Sequence, residues 1–123
     1  MNYLINTQSN SIFEYDQDYY TLSKNLRTEP WRQATAEEVK PYLVEKHIPC
    51  IKAEAHTRIT AIYPITKQIN LIYAKTPERN AYRDMVEFVE NIRAKSNDLE
   101  NQVAEMSIDE LSVFDCSDDQ YWQ

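Results

Sequence analysis

A chain of 123 residues with 42% hydrophobic and 27% charged side chains has the composition of one soluble folded domain, not of a disordered or membrane-spanning segment. It contains no glycine, where average usage would supply roughly nine, and this excludes phosphate-cradling loops, dinucleotide fingerprints and nucleophile elbows, which use glycine for close backbone approach or positive φ. The formal charge of −7 belongs to the C-terminal end: residues 96–123 hold eight acids and no base, and the other 95 residues set 13 bases against 12 acids.

Residues 3–7 (YLINT) and 12–15 (IFEY) are short β-prone runs separated by QSNS, which predicts a β-hairpin closed by a polar four-residue loop. Residues 16–30 show no clean period, and Tyr19, Tyr20 and Leu22 are the residues from which a third strand would be made. Thr35 opens TAEE, a threonine N-cap with glutamate three residues later, so a helix begins there. Val39, Tyr42 and Leu43 form its buried stripe, with Pro41 bending it at the cost of one backbone bond.

From Ile48, steps of three and four reach Ile51, Ala55, Arg58, Ile62, Ile65, Ile69 and Ile72, a nearly continuous apolar seam. Pro64 interrupts it and is expected to kink or divide the helix, with Lys67, Gln68 and Asn70 facing outward. Residues 74–79 (AKTPER) read as a break, with Thr76 as cap and Pro77 at the first helical position. A second seam, Tyr82, Met85, Val89, Ile92, Ser96, Leu99, Val103 and Met106, predicts one helix over 79–106, roughly 42 Å long. The two seams are expected to close on each other as an antiparallel, coiled-coil-like hairpin. A pair this thin has little core, so self-association as a homodimer is also expected. Ser107 and Glu110 repeat the capping signature and start a short helix with Ile108, Leu111 and Phe114 on one side. The tail DCSDDQYWQ is expected to be loose unless Tyr121 and Trp122 dock.

The fold class is therefore α+β, predominantly α, in one folded unit: a β-hairpin and helix over 1–46, a helical hairpin over 47–106, and a short helix with an acidic tail over 107–123.

Chemistry is sparse along this chain. His47 and His56 stand nine residues apart without ligand-spaced neighbours, and Cys50 and Cys116 are isolated thiols, so neither metal nor disulfide framework is expected. Both thiols read as reduced and intracellular, because no apolar run of about 18 residues and no signal-peptide pattern occurs. Ser107 and Cys50 lack a base in any recognisable motif, and the acid pairs Glu87/Glu90 and Asp109/Glu110 read as solvated helix faces. No catalytic residue, cofactor or metal ligand is assigned. Tyr15, Tyr19, Tyr20 and Trp31 fall within seventeen residues, and aromatic residues of this kind serve both small cores and interfaces. The acidic end, which argues against direct nucleic-acid binding through phosphates, offers Asp109, Glu110, Asp115, Asp118 and Asp119 together with Trp122 to a partner.

WRQATAEEV after a β-rich start, then AIYPITKQINLIY and a long helix containing IRAKSNDLE, resembles small proteins encoded among the tail genes of tailed bacteriophages and prophages, commonly labelled tail fibre assembly proteins. The likeness covers residues 3–46 loosely and 59–100 better. It implies a non-enzymatic viral protein that binds another phage protein, as chaperone or cap of a tail fibre, in the host bacterial cytoplasm or the virion tail. The rival expectation is an acidic phage-encoded inhibitor of a bacterial defence complex, of the anti-CRISPR kind, whose carboxylates imitate nucleic-acid phosphates.

Overall fold

The hairpin loop solves its turn without glycine. Asn10 takes the left-handed conformation itself, at φ 60°, a region that asparagine tolerates better than most residues. The Asn6 side chain accepts the backbone N–H groups of Gln8 and Ser9 at 3.0 and 3.2 Å, and Asn10 N–H donates to the Asn6 carbonyl. The computed structural model describes residues 2–73 and 79–123. Its elements are β1 (Asn2–Asn6), β2 (Ile12–Tyr15), β3 (Trp31–Gln33), α1 (Ala36–Ile62), α2 (Ile65–Tyr73), α3 (Arg79–Glu105) and α4 (Ile108–Val113), with short 3₁₀ turns at Tyr19–Thr21, Lys24–Leu26 and Asp119–Tyr121. The architecture is α+β and predominantly α, as the sequence predicts.

The strands form one antiparallel sheet in the order β2-β1-β3. Its third strand is not the one expected from Tyr19, Tyr20 and Leu22. Asp18 caps those residues into a 3₁₀ turn by accepting from Tyr20 N–H at 3.0 Å, and Trp31–Gln33 pairs with β1 instead. Leu4 and Tyr15 are packed against Leu22 of the covering loop. The opposite face meets α1, where the rings of Tyr3 and Tyr42 lie 6.2 Å apart.

Helix α1 starts at the predicted capping box: Thr35 Oγ1 accepts from Glu38 N–H, and the Glu38 carboxylate accepts from Thr35 N–H at 2.9 Å. It runs without interruption past residue 46, the expected boundary between the first two segments. Pro41 and Pro49 lie inside it, both on the exposed side, where the carbonyls they leave without an amide partner can be hydrated. Glu38 also takes both guanidinium nitrogens of Arg32 at 2.7 Å. That pairing, followed by the Thr35 bonds, lowers its pKa from 4.5 to about 2. A carboxyl depressed on folding gives stability that is complete above its unfolded value and lost as pH falls toward the folded one. The thermal midpoint is therefore expected to fall between pH 4.5 and about 2, and Glu38→Gln is expected to flatten part of that acid limb in a denaturation series.

Helices α1 and α3 are antiparallel, with Lys52 facing Glu100 and Tyr63 facing Phe88 at 5.4 Å between ring centroids. Their seam buries Ile51 and Ala55 against Ile92, Leu99 and Val103; Ser96 is buried with them. The expected break at Pro64 is present. Tyr63 leaves the helical region, at φ −124° and ψ 79°, as the residue before a proline must.

From Ile62, the last residue of α1, the seam does not continue. Ile62, Ile65, Ile69 and Ile72, expected to zip the hairpin, are 43–54% exposed. The non-helical Tyr63 resets the helical phase, and the buried residue of α2 is Leu71, with Gln68 half-buried beside it. Gln68, expected to face outward, donates its Nε2–H to the Tyr63 carbonyl at 2.7 Å. The expected cap Thr76 and first-turn Pro77 lie outside the described residues.

Helix α4 begins at the second predicted capping box, Ser107 with Glu110, and buries Leu111. The chain then lies back along α1. His47 Nε2 is 2.8 Å from the Leu111 carbonyl, and Arg58 donates to the Ser117 carbonyl and to Asp119. Among the described residues no helix is long and apolar enough to cross a membrane.

Candidate functional site

The aromatic cluster of the N-terminal sheet divides between core and surface. Tyr15 is buried, so its expected place at a partner interface is corrected: alternation along β2 turns it, with Leu4, under the 16–30 loop. Tyr19 is half-buried, and its hydroxyl donates to the Arg27 carbonyl at 3.5 Å. Tyr20 is 75% exposed and stands edge-on to Tyr19 at 5.2 Å. Trp31 is half-buried and meets Phe13 edge-to-face at 6.5 Å. Phe13, itself largely exposed, is a surface residue that strand alternation did not single out.

Trp122 is a second correction. It is 5% exposed and its indole N–H donates to the Cys116 carbonyl at 2.8 Å. The Arg58 guanidinium stands 5.4 Å from its ring. The ring closes the core and offers no surface to a partner.

Asp109, Glu110, Asp115, Asp118 and Asp119 are exposed, yet four of the five have local partners. Glu110 closes a capping box, Asp115 accepts from Ser117 N–H and Oγ–H, Asp118 accepts from Gln120 and Asp119 pairs with Arg58 at 2.7 Å. The two hydrogen bonds from Ser117 hold the Asp115 carboxyl below its ordinary value. Asp109 stands in the first turn of α4, where a negative charge is favoured by the helix dipole.

The groups weighed for chemistry are also engaged in structure. Ser107 Oγ accepts from Glu110 N–H, and burial pushes the Cys116 thiol up, away from thiolate. A cleft of about 300 Å3 lies between the sheet and α4, with Glu14, Lys46 and His47 at its wall. Lys46, then Tyr42, hydrogen-bond the Glu14 carboxylate at 2.6 and 2.8 Å and lower its pKa. That carboxylate is held as an anion and has no role as a proton carrier near neutral pH. A second cleft between α1 and α3 is edged by Lys52, His56 and Arg93. There Glu100 Oε1 is buried without a hydrogen-bond partner, 4.0 Å from Lys52 Nζ.

Among the described residues no group of three or more His, Cys, Asp or Glu converges as a metal-ligand set. Besides the exposed acids, the molecule presents apolar surface at Phe13, Trp31 and Tyr20 on the sheet side and at the isoleucines of α2. No family model, curated protein or solved structure matches this chain.

Proposed function

We propose that this chain is a non-catalytic bacteriophage or prophage protein that binds another protein, as a tail fibre assembly chaperone or tail component. The observation that carries the reading is the exposed aromatic surface of the sheet side, Phe13 set against Trp31 and Tyr20 exposed beside Tyr19. Large rings exposed beside a rigid sheet give contact area at little cost in side-chain entropy. The phage assignment rests on the sequence resemblance, with action in the host cytoplasm or on the virion tail. The alternative, an acidic inhibitor of a defence complex, is supported by the exposed carboxylates and weakened by the local bonds that engage four of them.

Co-expression with a phage tail fibre protein, followed by co-purification, tests the reading. Phe13→Ala and Tyr20→Ala are expected to weaken capture at least ~10-fold, as loss of a central aromatic contact does, with the circular dichroism spectrum unchanged. Capture that survives both substitutions, yet is lost on neutralising Asp109, Asp115 and Asp118 or in high salt, would reverse the ranking in favour of charge mimicry.

A further inference from the structure

The chain has two cysteines, Cys50 and Cys116, more than half its length apart and in no shared motif. The fold brings them to one side of α1. His47, Cys50, Glu54 and Arg58 recur at steps of three and four, so they share one face of that helix, about 80° wide. The C-terminal segment runs along the same face. At one end His47 Nε2 is 2.8 Å from the Leu111 carbonyl, and its ring is 5.0 Å from that of Phe114. At the other end Arg58 turns back to Glu54, Nε to Oε1 at 2.9 Å, and from there donates to the Ser117 carbonyl at 2.9 Å. Ser117 is therefore held near Glu54, and Cys116, one residue closer to Phe114, falls between Glu54 and His47, where Cys50 stands. Cys116 packs on the core cluster that contains Ile51. Burial first, then the charges of Cys50 and Glu54, raise the Cys116 thiol pKa, which places both α1 residues within electrostatic reach of its sulfur.

We propose that Cys50 and Cys116 are a redox latch, joined by oxidation into a disulfide that ties the C-terminal segment to α1. Both thiols are free, Cys50 exposed and Cys116 half-buried, and neither needs the helix to move. Cys50 Sγ rests 3.8 Å from the Lys46 carbonyl, and rotation about one side-chain torsion re-aims it. Cys116 lies in a turn closed by Asp118 N–H on the Asp115 carbonyl, outside the helices, where backbone adjusts most readily.

The oxidant is a low-molecular-weight disulfide, of the class of oxidised glutathione. The accessible Cys50 thiolate attacks one of its sulfurs, forming a mixed disulfide and releasing one small thiolate. Cys116 then loses its proton and attacks the Cys50 sulfur, displacing the second small thiolate. Two cysteine thiols are oxidised to one disulfide, one small disulfide is reduced to two thiols, and the two protons pass to the released thiolates. The bond closes a loop of more than half the chain, so it removes much of the freedom of the unfolded state and stabilises the folded one. The latch acts on the chain alone, so it goes beyond the partner binding proposed above and stands without it.

Incubation of the folded full chain with reduced and oxidised glutathione at a series of ratios tests the proposal. The intact mass is expected to fall by the two thiol hydrogens, with both cysteines closed to alkylation and one cross-linked peptide joining Cys50 to Cys116 in the monomer. The urea midpoint of the oxidised chain is expected to lie at least ~1 M above that of the reduced chain. Cys50→Ser, at an exposed position, is expected to leave the reduced midpoint unchanged and to remove its dependence on oxidation; Cys116→Ser is expected to remove that dependence too. A folded wild-type chain that keeps two alkylatable thiols, or carries only glutathione adducts or intermolecular bonds, overturns the proposal. So does a Cys50–Cys116 bond that leaves the midpoint unchanged or lowers it, because the native fold would then not hold the two sulfurs together.

Discussion

Trp122→Ala is expected to destabilise the protein by about 3–5 kcal/mol, the range for truncating a large buried ring. The indole closes a core that includes Leu99, Val103 and Leu111, and it is held from three sides. Its N–H satisfies the Cys116 carbonyl, Arg58 stands over the ring, and Lys95 of α3 donates to the backbone carbonyl of Trp122 at 2.8 Å. Removing the ring opens a cavity and leaves the Cys116 carbonyl without its donor. Against a typical domain stability of about 5–15 kcal/mol, such a loss leaves a marginal fold. Trp122→Phe keeps most of the packing and is expected to cost only about 1–3 kcal/mol, for the lost hydrogen bond and the smaller ring. Urea unfolding of the two variants separates packing from hydrogen bonding. A cost under about 1 kcal/mol for the alanine variant would mean that the tail is not anchored as described.

Much of this fold was legible because its signals are local. Thr35 with Glu38 and Ser107 with Glu110 form their capping boxes where the spacing predicts them. The second seam predicts a helix over 79–106, and α3 ends within a residue of that range. Pro64 divides the first seam, since its effect on Tyr63 is steric and independent of context. The misses depend on partners distant in the chain. Trp31–Gln33 is a strand because the free edge of β1 accepts it, which a three-residue run cannot signal. Trp122 is core because α1 and α3 provide its walls, while the Asp, Ser and Gln residues around it in the tail read as solvent-facing. The stripe of four isoleucines reads as a seam by periodicity, which does not register that Tyr63 leaves the helix and that these side chains stay about half exposed. The candidate site divides on the same ground: Tyr20 and Trp31 keep accessible surface, whereas Tyr15 follows strand alternation inward.

The sharpest contrast between seam and surface is a pair of substitutions that sequence periodicity treats as equivalent. Leu99 and Ile69 each occupy a station of a three-and-four repeat, on α3 and α2 respectively. Leu99 is 1% exposed in the α1–α3 core, and Leu99→Ala is expected to cost about 2–5 kcal/mol through lost transfer energy and an unfilled cavity. Ile69 is 46% exposed, so Ile69→Ala removes little buried surface from the isolated chain, and its cost is expected to stay within about 0.5 kcal/mol. Thermal or urea unfolding of the two variants at one protein concentration makes the comparison. Equal costs would restore the single continuous seam and remove the uncovered face from α2.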